Sequence, residues 1–396
     1  MSPPRPSIRL KPHESGRILR GHPWIYSNEI EMDAAAKAIE PGAVVAVLDA
    51  NGRPLGTATF NRNSLIAARL LAGGGETAID PQYFAVRIEA ALALRSRFYA
   101  APYYRLVHSE ADGVPGLIVD RFADAVVIQA NTAGIDRLTE TVIAALDRTI
   151  APATIVLRND SPIRSLEGLG VAVAVARGQA DTPIAIDEDG VAFVADLAGG
   201  QKTGWFFDQR PGRTLVAGIS HDARVLDLFS HTGGFAIRAL AAGAVSVVAI
   251  ESSEPALALA RAAAARNGVD ARATFVKGDV FAEIGHRAAK AERYDIVIAD
   301  PPAFVKSRKG LAAGLKGYRK LARMTAAMVA PGGFLFIASC SHLVDPPAFA
   351  SEVRMGLAAA KRTGRILAQG GAGPDHPVHP HLPESAYLKW ELLQLD

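Results

Sequence analysis

Two short segments in the C-terminal half carry side chains that could handle a nucleobase: Asp300-Pro301-Pro302-Ala303-Phe304 and Ser339-Cys340-Ser341-His342. Carbon 5 of cytosine is a poor nucleophile, and adding a thiolate at carbon 6 puts electron density on it. That chemistry needs one accessible thiolate and one acid partner near the ring, and Cys340 and Asp300 are the candidates. The two prolines fix φ and remove two backbone donors, so the first segment reads as a rigid extended exit from a strand. It would hold Asp300 where a base's amino group can donate to it, and Phe304 where it can stack on the base. Cys340 is the only cysteine, which excludes an intramolecular disulfide and a thiolate zinc site within one chain. A lone cysteine is usually buried and inert; its place at a strand end favours the nucleophile here. His342 could shuttle a proton or merely line the rim.

The elements that must position these residues begin near 201. ARVLDLF, SVVAIES, ATFVKGD, YDIVIAD and GGFLFIAS are strand-like runs. They alternate with helical stretches such as EPALALARAAAARN and AGLKGYRKLARMTAAMVA. This alternation predicts an α/β unit, a parallel sheet covered on both faces, with RTGRILAQGG and AYLKWELLQL as an antiparallel pair at its edge. Ligands of such sheets bind beyond the C-terminal strand ends. The first strand runs into Asp227-Leu-Phe229-Ser230-His-Thr-Gly233-Gly234, where glycines permit a tight turn before a helix. This is not Gly-x-Gly-x-x-Gly, which argues against a nicotinamide or flavin enzyme. Glu251, ending the second strand, is placed to accept from ribose hydroxyls. Asp279, with Val280 beside it, is placed to accept from an adenine amino group. Ribose and adenine without a pyrophosphate describe S-adenosylmethionine, so Asp227, Phe229, Ser230, Gly233, Glu251, Asp279 and Val280 are the expected cofactor-binding residues.

Upstream, residues 1–74 read as a small β-barrel built on a meander (43–49, 55–60, 64–71), with a linker at Gly73-Gly74-Gly75. Residues 75–185 read as an α+β domain, with a helix from 81, a hairpin over 116–130, a single amphipathic helix over 134–148 and a strand near 153–160. A further hairpin over 184–197 turns at Asp189-Gly190. The chain is 49% hydrophobic and 21% charged, enough apolar material for real cores. No apolar run approaches membrane length and no secretory signal is evident, so a cytoplasmic protein without a membrane partner is expected. A net charge of +3 permits a nucleic-acid partner without demanding one. Residues 1–74 carry nine Lys/Arg against six Asp/Glu, with the aromatics Trp24 and Tyr26 following the basic stretch. The segment 306–323, KSRKGLAAGLKGYRKLAR, contains no acid. Lys306, Lys316 and Arg319 are its candidate RNA contacts, and its glycines suggest mobility without substrate. His376, His379 and His381 are interrupted by prolines and joined by no carboxylate cluster, which favours a loop near the substrate over a metal site.

Asp-Pro-Pro-Ala-Phe, Ser-Cys-Ser, FSHTGGFA and GGQKTGWFFDQRPGR (199–213) together resemble the class I ribosomal RNA cytosine-5 methyltransferases that carry an N-terminal PUA domain. LKPHESGRILRGHPWIYSNEI and LVHSEADGVPGLIVDRF extend the resemblance over nearly the whole chain. It implies a PUA domain (1–74), a central α+β domain (75–185) and a hairpin plus Rossmann-like methyltransferase domain (186–396). It further implies 23S rRNA as substrate, cytosine carbon 5 as target and Cys340 as nucleophile, and it leaves a homodimer open. Lys202, Thr203, Phe206, Asp208 and Asp300 would join the cofactor pocket. Some cytosine-5 enzymes carry a second cysteine after the prolines; here alanine and phenylalanine stand there, so only a single-cysteine scheme is available. Other Asp-Pro-Pro enzymes methylate different base atoms, such as a guanine nitrogen, and a non-catalytic RNA-binding assembly factor is the alternative from another class.

Overall fold

The computed structural model describes residues 5–180, 182–200 and 203–396. The chain divides into two compact units. The first runs to Thr182 and takes in Asp196–Trp205 and Pro374–Pro383; the second comprises Pro183–Ala195, Phe206–Gly373 and Glu384–Asp396.

In the first unit, Ala43–Leu48, Pro54–Phe60 and Ala68–Gly73 form the antiparallel meander. Ser7–Arg9 adds in parallel at one edge and Trp24–Ile25 antiparallel at the other. A bridge between Leu10 and Ile30 links the segments leaving those two edges, so the barrel is a curled sheet around Ile8, Ile25, Val45, Val47 and Phe60. A second five-stranded sheet pairs Tyr103–His108, Leu117–Phe122, Ala125–Ala130, Thr154–Asn159 and Ala172–Arg177 in that spatial order. Helices Pro81–Arg95 and Thr139–Thr149 carry the apolar residues that join its core. The single helix expected over 134–148 is instead two, Ala133–Arg137 and Thr139–Thr149, which meet at Leu138. The Thr139 hydroxyl donates back to the carbonyls of Ile135 and Asp136, a bond of the kind that bends helices.

Within this unit Glu167 is buried and accepts from Asn61 Nδ2 (3.0 Å), Ser64 Oγ (2.9 Å) and the Ala133 amide (3.3 Å), while Arg69 lies 3.0 Å away. Burial pushes its carboxyl up, but Arg69 and the hydroxyl and amide donors outweigh that and hold it below the ordinary carboxylate value. Arg95, fully buried, forks onto Asp112 (2.6 and 2.7 Å) and donates to the Asp375 carbonyl. Asp375 in turn accepts from the Arg105 amide and pairs with His376. Asp375 and His376 are therefore part of this unit's interior, whereas His379 is half-buried and His381 exposed; among the described residues no three His, Cys, Asp or Glu gather to hold a metal. No described helix is long and apolar enough to cross a membrane.

The second unit is built on a seven-stranded sheet. In chain order its strands are β1 (Arg224–Leu228), β2 (Ser246–Glu251), β3 (Ala273–Lys277), β4 (Tyr294–Ala299), β5 (Val329–Ser339), β6 (Gly364–Gly370) and β7 (Lys389–Leu395). Their spatial order is β3-β2-β1-β4-β5-β7-β6. The first five are parallel; β7 inserts antiparallel between β5 and β6. The connecting helices are α1 (Arg210–Ala217), α2 (Gly234–Ala241), α3 (Glu254–Arg266), α4 (Val280–Ala289), α5 (Leu311–Ala326) and α6 (Pro346–Ala359). The central strands are buried along most of their length, as helices on both faces require. Order reverses between β1 and β4, so this Rossmann-like sheet opens its ligand crevice there. The hairpin of Ile184–Glu188 and Val191–Ala195 turns at Asp189 and Gly190, both with positive φ. Buried Glu188 accepts from Arg213 Nε at 2.7 Å, and Asn267 exchanges bonds with Ala192, which fix the hairpin to this unit.

Removing the Glu167 carboxylate takes the nearest counter-charge from half-buried Arg69 and one acceptor each from buried Asn61 and Ser64. Glu167→Ala is expected to lower stability by about 3 kcal/mol, read as a lower unfolding midpoint and faster proteolysis within the first unit.

Candidate active site

Asp227 ends β1 with its side chain almost fully buried. One carboxylate oxygen, Oδ2, accepts from Ser230 Oγ (2.8 Å) and from the Ala236 amide in the first turn of α2 (3.0 Å). Burial pushes this carboxyl up to about 7; the two donors oppose that, and the charges of Asp300 and Glu251 add to it. The charges of the acids at the ends of β2 and β4 therefore both bear on Asp227. The turn between Asp227 and α2 contains Phe229 (φ 61°), His231 (φ 50°) and Gly233 (φ 80°). Two non-glycine residues held in the left-handed region are a feature that clusters at ligand sites. At Gly233 a Cβ would lie 2.9 Å from Ile237 Cδ1 and 3.1 Å from the Ala260 methyl, so a side chain there would collide with α2 and α3.

Glu251 ends β2, and both its oxygens are engaged locally. Oε2 accepts from the His231 amide at 3.0 Å, and Oε1 from the amides of Ser252 and Ser253. These bonds aim the carboxylate at the turn that follows β1. Asp279 is exposed and caps α4 through the Ala282 amide, while Val280 is buried. Phe206 packs edge-on against His231 at 4.8 Å. Asp208 is buried and accepts from the Tyr387 hydroxyl. Thr203 belongs to the first unit, where its hydroxyl donates to buried Asp120 at 2.6 Å. Lys202 lies outside the described residues.

At the end of β4, Asp300 accepts from Gln209 Nε2 at 2.8 Å. The chain then runs through the prolines to Phe304, whose ring lies 4.8 Å from that of Tyr318 on α5. Cys340, the residue after β5, is partly exposed, and its sulfur lies 3.9 Å from the Pro301 carbonyl oxygen. The thiol is thus beside the Asp-Pro-Pro segment and not sealed in the core. Tyr318 is fully buried; its hydroxyl bonds Ser341 Oγ at 2.8 Å, and Ser341 Oγ accepts from the Val305 amide at 3.2 Å. His342 is exposed and stacks on Tyr387 at 4.9 Å.

Two of the glycines in 306–323 lie in close contact with the Asp-Pro-Pro loop. A Cβ at Gly314 would sit 2.3 Å from Val305 Cγ2 and 2.9 Å from the Phe304 carbonyl; one at Gly317 would meet the Phe304 ring at 3.1 Å. They let α5 approach the Asp-Pro-Pro loop closely. Lys306 and Lys316 are exposed, whereas Arg319 is paired with Glu352 of α6 at 2.7 Å. In the first unit, Trp24 donates to Glu110 and Arg17 lies over the Tyr26 ring. His376 is buried against Asp375, and His379 and His381 have rings 5.9 Å apart. Gln209, Tyr387 and Lys389 escaped the sequence reading. Gln209 had a signal, its place beside Asp208 in the 199–213 motif; the other two reach the site only through the insertion of β7.

Residues 171–365 match the model of an S-adenosylmethionine-dependent methyltransferase family, and residues 8–72 match a PUA-like domain. A ribosomal RNA large subunit methyltransferase I from Erwinia tasmaniensis is 34% identical over 380 residues, covering 94% of this chain and 95% of that protein. The protein of the same name from Aeromonas salmonicida is 36% identical over 378 residues, with 94% and 95% covered. The chain belongs to the ribosomal RNA large subunit methyltransferase I family. Its fold also matches a candidate methyltransferase solved in complex with SAH, with a TM-score of 0.83 at 22% identity, over 98% of this chain and 99% of the other. The cofactor of this methyltransferase is S-adenosylmethionine. The acids at the ends of β1, β2 and β4 suit its cationic sulfonium and ammonium groups, and the buried, partly neutralised Asp227 is what such a crevice would show before a cation enters.

The raised Asp227 value carries a stability cost. The unfolded carboxyl ionises near 3.8 and the folded one near 7. Its contribution is full below the lower value and lost as pH rises through the upper one. In Asp227→Asn the amide oxygen can keep both hydrogen bonds without that loss. Unfolding at pH 5 and pH 8 should show the stability gap moving in the variant's favour by about 2–4 kcal/mol, while calorimetry shows weaker S-adenosylmethionine binding at pH 8.

Proposed function

We propose that this protein transfers a methyl group to carbon 5 of a cytosine in 23S rRNA through a covalent adduct with Cys340. The observation that carries this reading is the partly exposed thiol 3.9 Å from the carbonyl oxygen of Pro301, at the ends of adjacent strands. The names of the relatives support a large-subunit rRNA substrate. S-adenosylmethionine supplies an electrophilic methyl group when bound. Lys202, Thr203, Phe206, Asp208, Asp227, Phe229, Ser230, Gly233, Glu251, Asp279, Val280 and Asp300 are the residues we assign to its binding.

The Cys340 thiolate adds to carbon 6, and the electron pair of the 5,6 double bond moves to carbon 5, the methyl acceptor. A base then removes the carbon 5 proton, the double bond re-forms and the thiolate leaves. Asp300, steadied by Gln209, accepts from the cytosine amino group, and Phe304 offers a face for the base. Lys306 and Lys316 contact RNA phosphates; Arg319, already paired with Glu352, contributes by orienting α5. Residues 1–74 serve as the RNA-binding module, 75–185 as the central domain and 186–396 as the catalytic part, in a cytoplasmic protein that can act as a homodimer.

Cys340→Ala is expected to reduce methyl transfer to background while S-adenosylmethionine binding is retained. Nucleoside mass spectrometry of rRNA from a deletion strain should show one 5-methylcytidine lost. Full turnover by the variant, or loss of a methylguanosine with every 5-methylcytidine intact, would overturn the covalent cytosine route.

A further inference from the structure

Lys389, the first residue of β7, is buried, an expensive position for an ammonium unless every N–H is matched. Its Nζ donates to the carbonyls of Ser341 (2.6 Å), Val344 (2.6 Å) and Tyr387 (3.0 Å). Three donors meet three acceptors, and two of these belong to the turn that immediately follows Cys340. In the β5–β7 ladder Lys389 stands opposite Ser339, the residue immediately before Cys340. The cysteine is therefore bracketed on both sides by residues that β7 and this lysine hold.

We propose that Lys389 is a positioning residue for Cys340, its ammonium both fixing the turn after the thiol and supplying the positive charge that favours the thiolate. The inference rests on the reading of Cys340 as nucleophile. Burial pushes Lys389 down to about 8, and the charges of Cys340 and Asp345 act the other way, holding its proton. Such coupling is reciprocal: whatever a thiolate does to retain the lysine's proton, the ammonium does to release the thiol's. Among the described residues, other titratable groups belong to the elements packed around this turn. Asp300 at the end of β4 and Asp345 at the start of α6 are acids that oppose a thiolate. Burial raises the Tyr318 phenol of α5 above its ordinary value, so it stays neutral at physiological pH. His342 is exposed and stacked on Tyr387.

Because the chain has one cysteine, thiol chemistry reads this residue alone. Thiolate absorbance of the full-length protein, with Cys340→Ser as blank, should titrate about one pH unit below the ordinary thiol value of about 8.5. In Lys389→Met the midpoint of iodoacetamide alkylation should rise by about one unit, with alkylation near pH 7 roughly tenfold slower. A wild-type midpoint at or above the ordinary value overturns the proposal, as does an unchanged midpoint in a folded variant. If Lys389→Met does not fold, the wild-type titration decides. A lysine that only pinned carbonyls would leave both midpoints in place. Failure here, with Cys340→Ala still inactive, removes the role of Lys389 alone; an active Cys340→Ala removes the nucleophile itself.

Discussion

Two loops, one leaving β4 and one leaving β5, must stay side by side for this crevice to be a site, and a buried phenol holds them there. The Tyr318 hydroxyl accepts weakly from the Phe304 amide at 3.4 Å and bonds Ser341 Oγ, which takes the Val305 amide in turn. The exposed tips of both loops thus hang from one hydrogen-bonded cluster inside the core. A buried hydroxyl or amide left without these bonds would cost about 1–3 kcal/mol, so the loops cannot separate cheaply. Gly314 and Gly317 are what allow α5 to bring the phenol close enough.

The same sheet gathers acids where it would be more stable without them. Asp227, Glu251 and Asp300 end neighbouring strands; burial, and to a lesser degree the charges of the other two, push Asp227 up to about 7, while Glu251 is given three backbone amides. Such an arrangement is unfavourable alone and favourable around a cation, the usual exchange of stability for binding at a functional site. Lys389 shows the converse, a buried cation made tolerable by three carbonyls beside the group it influences.

Much of this was legible in the sequence, for physical reasons. Strands covered on both faces must be apolar runs, so β1 to β5 stand out, and acids or a cysteine at their ends stand out against them. The hairpin at Asp189-Gly190 was legible because few residue pairs tolerate two positive φ values. Other features were hidden because their cause lies in distant chain. Leu138 interrupts a good helical pattern where Thr139 turns its hydroxyl back onto the preceding turn. The close approach at Gly314 and Gly317 has no signal in the sequence, because the loop they contact lies outside their own helix. The pairing of Arg319 with Glu352 and of Thr203 with Asp120 was hidden in the same way, since each partner lies far along the chain. Lys389 and Tyr387 gain meaning only when β7 inserts beside β5.

Asp375 and His376 supply buried polar groups to Arg95, Arg105 and the interior around them. Those arginines emerge from the ribosome long before residues 374–383 do. During synthesis the N-terminal part can lay down its sheets early and pair Arg95 with Asp112 and Arg105 with Asp120, yet the Arg95 guanidinium and the Arg105 amide each wait for one further acceptor from Asp375. A nascent chain stalled before residue 374 would lack the Asp375 acceptors and hold an incomplete interior.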